Sequence, residues 1–199
     1  MPNNWRIITT EPARTSKKNS SEQEIVSEIL TEYELIIDSY EQAIERPKKY
    51  EKQKEYYSGN KKNHRRKSQV IVLPNGQDIV DVEAGKPGKK SDINFFRETQ
   101  QKLSPKQQFT GDQASVGEPA IKTPKKQPKN QELSSQEKFQ KKELASEIIF
   151  VENVIRLLKI FRVAQERFRL NSEKYTQIIM TICGLVRLRI GRLIRLVAL

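Results

Sequence analysis

Apolar residues are spread unevenly along the chain. They gather in three stretches, residues 30–38, 69–84 and 144–199, and a compact core has to be assembled from these. Residues 21–32 (SEQEIVSEILTE) place Ile25, Ile29 and Leu30 on one helical stripe, with Ser20 or Ser21 available as a cap. The next apolar run ends on an acid, and Leu35–Ser39 is predicted as a buried strand. SQVIVL and DIVDVEA flank Pro74-Asn75-Gly76-Gln77, and Val and Ile around an Asn-Gly pair predict a β-hairpin. Ser91 is placed to cap a short helix over SDINFFRETQQ whose buried side is Phe95 and Phe96. KQQFTGD predicts another short strand, ending on Asp112. A long helix is predicted over 143–170, with Ile149, Val154, Leu157, Leu158, Phe161 and Ala164 as its apolar positions. A last helix covers about 173–197, or 173–199 as a segment.

The polar stretches fill the gaps. Residues 1–20 are aperiodic and expected to be a disordered tail. Residues 45–66 are charged and expected as loop, with Ser58-Gly59-Asn60 as a turn. Residues 117–142, rich in Pro, Lys, Gln and Ser, are expected as a flexible basic loop. No internal repeat is visible. Helix, strand, hairpin, short helix, strand, loop and two helices make one α/β domain over 21–199, with helices packed on a small mixed sheet.

Charge narrows the partners. Lys plus Arg is 37 against 25 acids, a net +12 in 199 residues. From residue 120 onward there are 17 Lys/Arg and 7 Asp/Glu, so +10 of the excess lies there. Such a field favours nucleic acid or an acidic membrane surface, and a soluble basic protein with neither partner is the plainer alternative. Cys183 is the single cysteine, which excludes an internal disulfide and a Cys-rich zinc site. The N-terminus has no apolar run of the secretory kind. Tyr175–Leu199 is apolar, but Arg187, Arg189, Arg192 and Arg195 interrupt it, so it reads as a helix packed on protein and not as a membrane span. A membrane-surface helix is the weaker option. The chain has no phosphate-binding Gly loop, dinucleotide motif, or nucleophilic Ser or Cys signature.

Four acids stand at unusual places. Asp38 ends a predicted buried strand, Asp92 opens a short helix, Asp112 ends another strand, and Glu152 lies in the apolar segment FVENVIRLLKIF. Each taken alone has an ordinary explanation: a turn cap, a helix-start anion, an Asx-turn, a solvated helix face. Strand-end acids on neighbouring strands converge at one sheet edge, however, and a helix across that edge delivers another. Carboxylates so close repel unless divalent metal compensates. Two such ions suit in-line displacement at a phosphodiester. Arg156 and Lys159, at i+4 and i+7 from Glu152, share its face.

The runs EYYSGNKKNHRRKSQVIVLPNGQDIVDVEAGKPGKKSDINFF, QQFTGDQASVGEPAIKTPKK and ASEIIFVENVIRLLKIFRVAQERFRL resemble the core of Harbinger-like DDE transposases of bacterial insertion sequences. So does IIMTICGLVRLRIG, and the likeness covers roughly residues 22–195. It implies an RNase H-like fold and DNA strand cleavage and transfer dependent on Mg²⁺ or Mn²⁺. By motif match, Asp38, Asp112 and Glu152 take the catalytic positions. Asp92 joins them as a metal ligand.

DNA is the implied partner, as transposon ends and target, with a homodimer left open and a bacterial cytoplasmic, nucleoid-associated location. The cluster Lys61, Lys62, Arg65, Arg66 and Lys67, together with Arg156 and Lys159, is expected to contact phosphates. Gln113, Ser115, Ile148 and Asn153 depart from the family pattern, as does Arg65. About 37 residues precede Asp38, fewer than the family's upstream helix-turn-helix region needs, so an N-terminally truncated copy is expected, with activity left open. A non-catalytic basic DNA-binding remnant is the alternative, and a membrane-surface protein the third reading.

Overall fold

The computed structural model describes residues 20–112, 118–124 and 134–197. Among them the elements run α1 (Ser20–Leu30), β1 (Leu35–Ala43), α2 (Tyr50–Tyr56), β2 (Tyr57–Ser58), β3 (Asn63–Val72), β4 (Ile79–Pro87), α3 (Asp92–Gln100), β5 (Phe109–Gly111), β6 (Ile121–Lys122), α4 (Ser135–Lys159), α5 (Arg162–Gln165) and α6 (Tyr175–Val197). The expected tail lies outside the described residues up to position 19, and Ser20 already belongs to α1.

β3 is the hub of a mixed sheet. It pairs antiparallel with β1, β4 and β2, while β1, β5 and β6 run parallel. The hairpin expected at Asn-Gly forms: Asn75 (φ 59) and Gly76 (φ 64) turn β3 into β4, and Val72 faces Ile79. Left-handed backbone at two successive residues is what Asn-Gly tolerates.

Two apolar layers cover the sheet. On one face Ile36, Tyr40, Val70, Val72 and Val82 pack against Val151, Val154, Ile155 and Leu158 of α4 and against Tyr175, Ile179, Ile182, Cys183 and Val186 of α6. On the other, Leu35, Ile37, Ile71 and Phe109 pack with Leu30 and Phe96. β1 alternates strictly between these layers, since its pairing with β3 runs unbroken from Ile36–Val72 to Ala43–Arg65.

Several expected boundaries are corrected. The stripe of α1 is Val26 and Leu30, with Ile25 left exposed. Residues 45–66 are not one loop: they hold α2, β2 and the start of β3, whose charged residues are drawn into the ladder opposite Glu41, Gln42 and Ala43. Stretch 117–142 holds β6 and the opening of α4, while 113–117 and 125–133, including Gln113 and Ser115, lie outside the described residues. α4 starts early because Ser134 and Glu137 form a reciprocal capping box.

The long helix is also not continuous to 170. It stops at Lys159, Phe161 turns extended, and Phe168 is brought back to β1, where its N–H donates to the Ala43 carbonyl at 2.8 Å. Gln42 ties down this return by donating to the Val163 and Glu166 carbonyls, each at 2.7 Å. α4 buries Ile148, Val151, Val154, Ile155 and Leu158, so Ile149 is exposed, and the departure at Ile148 is a core residue.

Candidate active site

Strand pairing decides which acids meet. β1 and β5 are parallel, with Ile36 beside Thr110 and Ile37 beside Gly111, so the next residues, Asp38 and Asp112, leave the two strands side by side. Ile36 faces α4, and by alternation so does Asp38. α4 crosses β1, β3 and β5 on that face and carries Glu152 on its exposed side.

Burial and neighbouring charge act together on Asp38. Asp38 is half-buried, and its carboxyl is pushed up to about 7. Burial is the largest cause, and the negative charges of Asp112, Glu152 and Asp92 add to it in that order. The Ser39 N–H, donating to the Asp38 carboxylate at 2.7 Å, works against the rise.

Asp92 has an ion-pair partner of its own. It opens α3 after the Ser91 cap, which accepts from the Asn94 N–H at 3.3 Å. Its carboxylate lies 3.2 Å from the Lys67 ammonium. Lys67 is 6% exposed, and also reaches the Lys90 carbonyl at 2.8 Å and Glu41 at 3.7 Å. Glu41 is three residues from Asp38 on an unbroken strand, so this network occupies the opposite face of the sheet.

The expected phosphate contacts divide likewise. Lys61 and Lys62 are exposed, Lys62 with φ 51 in the β2–β3 turn. Arg65 pairs with Glu41 at 2.9 Å. The Arg66 guanidinium lies between the rings of Tyr56 and Tyr175, at 5.0 and 4.9 Å, and donates to the Ser172 hydroxyl at 2.7 Å. Lys67 is buried as described. The last three cations therefore each have contacts within the fold. Tyr57 packs edge-on against His64, whose pKa is lowered by burial and by Arg46.

On α4, Arg156 is exposed and Lys159 sets its ammonium 5.6 Å from the centre of the Tyr40 ring. Tyr40 follows Asp38 by two residues on the same face, so Lys159 overlies β1 next to the Asp38 position. Sequence reasoning left Tyr40 unnoticed, although the i, i+2 relation to Asp38 was there to see. It also missed Thr110, whose buried hydroxyl lies 2.7 Å from Glu34 and 3.1 Å from Glu147.

Oxygen donors of this kind fit a hard divalent cation. Among the described residues, however, no three His, Cys, Asp or Glu side chains are grouped closely enough to hold one ion. Asp112 and Glu152 are exposed, and Asp38 is half-buried. No helix among the described residues is long and apolar enough to cross a membrane.

Residues 37–187 match the model of a family described as DDE superfamily endonuclease. A probable transposase for insertion sequence element IS702 from Microchaete diplosiphon is 31% identical over 145 residues, which cover 71% of this chain and 51% of that protein. The chain thus spans about half the length of the curated relative it matches. No solved structure matches it.

Proposed function

The chain belongs to the DDE superfamily endonuclease family, and from that premise we propose that it is the strand-cleaving region of a transposase-type DNA endonuclease. The observation that carries this is the parallel pairing of β1 with β5, which sets Asp38 and Asp112 at adjacent strand ends with α4 across the same face. The Asp38 pKa is raised to about 7, by burial first and then by the charges of Asp112, Glu152 and Asp92. An RNase H-like reading of the fold is supported by the sheet: an antiparallel β1–β3–β4 unit continued by parallel β5 and β6, with the acid-bearing helix across one face.

In this reading Asp38, Asp112 and Glu152 hold Mg²⁺ or Mn²⁺. Asp92 serves Lys67 instead. Bound divalent ions supply a lowered pKa for the attacking water or 3′-hydroxyl and charge neutralisation at the leaving oxygen. The chain's own part is to fix Asp38 by its backbone bond to Ser39, to keep Asp112 in register beside it through β5, and to bring Glu152 over both from α4. Arg156 and Lys159, one or two turns beyond Glu152, receive the DNA backbone, and the Tyr40 ring steadies the Lys159 ammonium. Lys61 and Lys62 add phosphate contacts at the β2–β3 turn. The reaction is cytoplasmic in this reading.

One observation favours the second reading, a basic DNA-binding remnant without catalysis: the acids are not grouped at ligand spacing. A single experiment separates the two. Thermal unfolding is followed with and without millimolar Mn²⁺, alongside nicking of supercoiled plasmid. The catalytic reading expects a rise in Tm with the ion, by mass action on the folded state, and nicking. Both are lost in Asp38→Ala and Glu152→Ala. No shift and no nicking in the wild-type chain leaves only the second reading.

A further inference from the structure

Between β1 and β3 the chain carries a concentration of charge that the acid site does not use. α2 has no fully buried residue, and Tyr56 alone packs against the core, at the helix's end. It is nevertheless held firmly. The Gln53 amide donates to the Pro47 carbonyl at 2.7 Å and accepts from Arg46 at 2.8 and 3.0 Å. Lys89 donates to the Lys54 carbonyl at 3.1 Å, and the Tyr56 ring lies under Arg66. The Gln53 side chain, the Lys54 carbonyl and the Tyr56 ring thus hold this seven-residue helix at three points.

What this platform presents to solvent is cationic. Lys48, Lys49, Lys52, Lys54, Lys61 and Lys62 are all exposed. None of them forms an ion pair among the described residues. Residues 45–62 hold seven Lys/Arg against three acids, a surplus of +4. Unpaired ammonium groups on a rigid support are arranged for a partner with closely spaced negative charge, because their mutual repulsion is relieved only by counterions or a polyanion.

α2 follows the end of β1 in the chain. Ala43, where β1 ends, lies five residues beyond Asp38, roughly 17 Å at about 3.3 Å per residue. Duplex DNA rises about 3.4 Å per base pair. A duplex with its reacting phosphate at Asp38 and its axis along β1 would pass the end of that strand after about five base pairs. We propose that α2, with its preceding Lys48 and Lys49, is a docking platform for the backbone of duplex DNA flanking the cleaved position. This rests on the endonuclease reading above for the identity of the duplex, and on the charge and rigidity of α2 for the contact.

The test uses the full chain with Asp38→Asn as the parent, in EDTA, so that binding is measured without cleavage. A fluorescently labelled 30-base-pair duplex is titrated by anisotropy at several KCl concentrations. Exchange of Lys48, Lys49, Lys52 and Lys54 for Ala is expected to weaken binding tenfold or more. It should also flatten the slope of log K against log salt by about 2 to 4, at about 0.9 per lost phosphate contact. Exchange of the same four for Arg should keep the slope, which separates lost charge from altered folding. An unchanged slope in the Ala variant overturns the proposal, as does lost binding to phosphatidylserine vesicles with DNA binding intact. The Mn²⁺ shift in the Asp38-intact background should be unaffected by the Ala exchanges. Failure of the endonuclease reading would appear there and not in the salt slope.

Discussion

The Lys67 ammonium and the Asp92 carboxylate face each other at 3.2 Å across the β3–α3 junction, on the side of the sheet away from Asp38. The pair supplies the counter-charge for a buried lysine. Asp92→Asn leaves Lys67 with only the more distant Glu41 and one carbonyl, and should cost about 2–4 kcal/mol in denaturant unfolding. Lys67→Met should cost less, since the half-buried Asp92 can turn to water. Asp92→Asn should also retain any Mn²⁺-induced rise in Tm, and loss of that rise would place Asp92 among the ligands.

Asp38 makes stability depend on pH in a defined direction. Its folded pKa of about 7 lies above the ordinary value of 3.8, so between these limits the folded chain binds the extra proton. Stability therefore falls as pH rises through that window, and the cost is complete above about pH 7. At about 1.4 kcal/mol per unit the upper bound is roughly 4 kcal/mol, reduced to about 2 by partial solvent screening. Asp38→Asn should unfold at a higher temperature than wild type at pH 8, and the difference should vanish near pH 3. Mn²⁺ should oppose the effect at pH 8 in wild type alone.

Tyr40 separates an apolar role from a polar one. Its hydroxyl is buried without a hydrogen-bond partner among the described residues, while its ring carries Lys159. Tyr40→Phe keeps the ring and should leave stability unchanged or raise it by up to about 1 kcal/mol. Tyr40→Leu frees the Lys159 side chain and should weaken duplex binding two- to fivefold by anisotropy, an effect Tyr40→Phe should lack.

Gly85 marks where α6 approaches the sheet. Its φ is +92°, and a Cβ there would stand 2.9 Å from the Thr176 hydroxyl and 3.2 Å from Arg66. Gly85→Ala should destabilise by about 1–3 kcal/mol, from backbone strain and from displacement of α6. Near-UV circular dichroism at Tyr175, against which Arg66 packs, should change with it.

The sequence disclosed most where local chemistry is decisive. Asn75-Gly76 announced the hairpin, Ser91 the start of α3, and Asp112 the end of a short strand. It disclosed least where a distant partner sets the outcome. The charged opening of β3 reads as loop until Glu41 and Gln42 of β1 stand opposite it. The end of α4 at Lys159 follows from the need to return Phe168 to Ala43, more than a hundred residues away in the chain. The Ser134–Glu137 capping box was legible and was overlooked inside a Pro- and Lys-rich stretch. Of the four acids, motif likeness gave the positions, but only strand alternation shows that Lys67 claims Asp92.

The anchorage of Phe168 on the end of β1 has a further consequence. α4 is clamped beyond its C-terminus by main-chain bonds, so the height and rotation of Glu152 above the sheet are set by the count of residues between Glu152 and that anchor. One residue inserted among the irregular positions 166–172 has slack to absorb it. One residue inserted between Glu152 and Leu158 has none: the helix must turn by about 100° per residue, which swings Glu152, and with it Ile148 and Val151 of the buried face, out of their present orientation. Spacing along this helix, as much as the identity of the acid, is therefore the quantity under constraint.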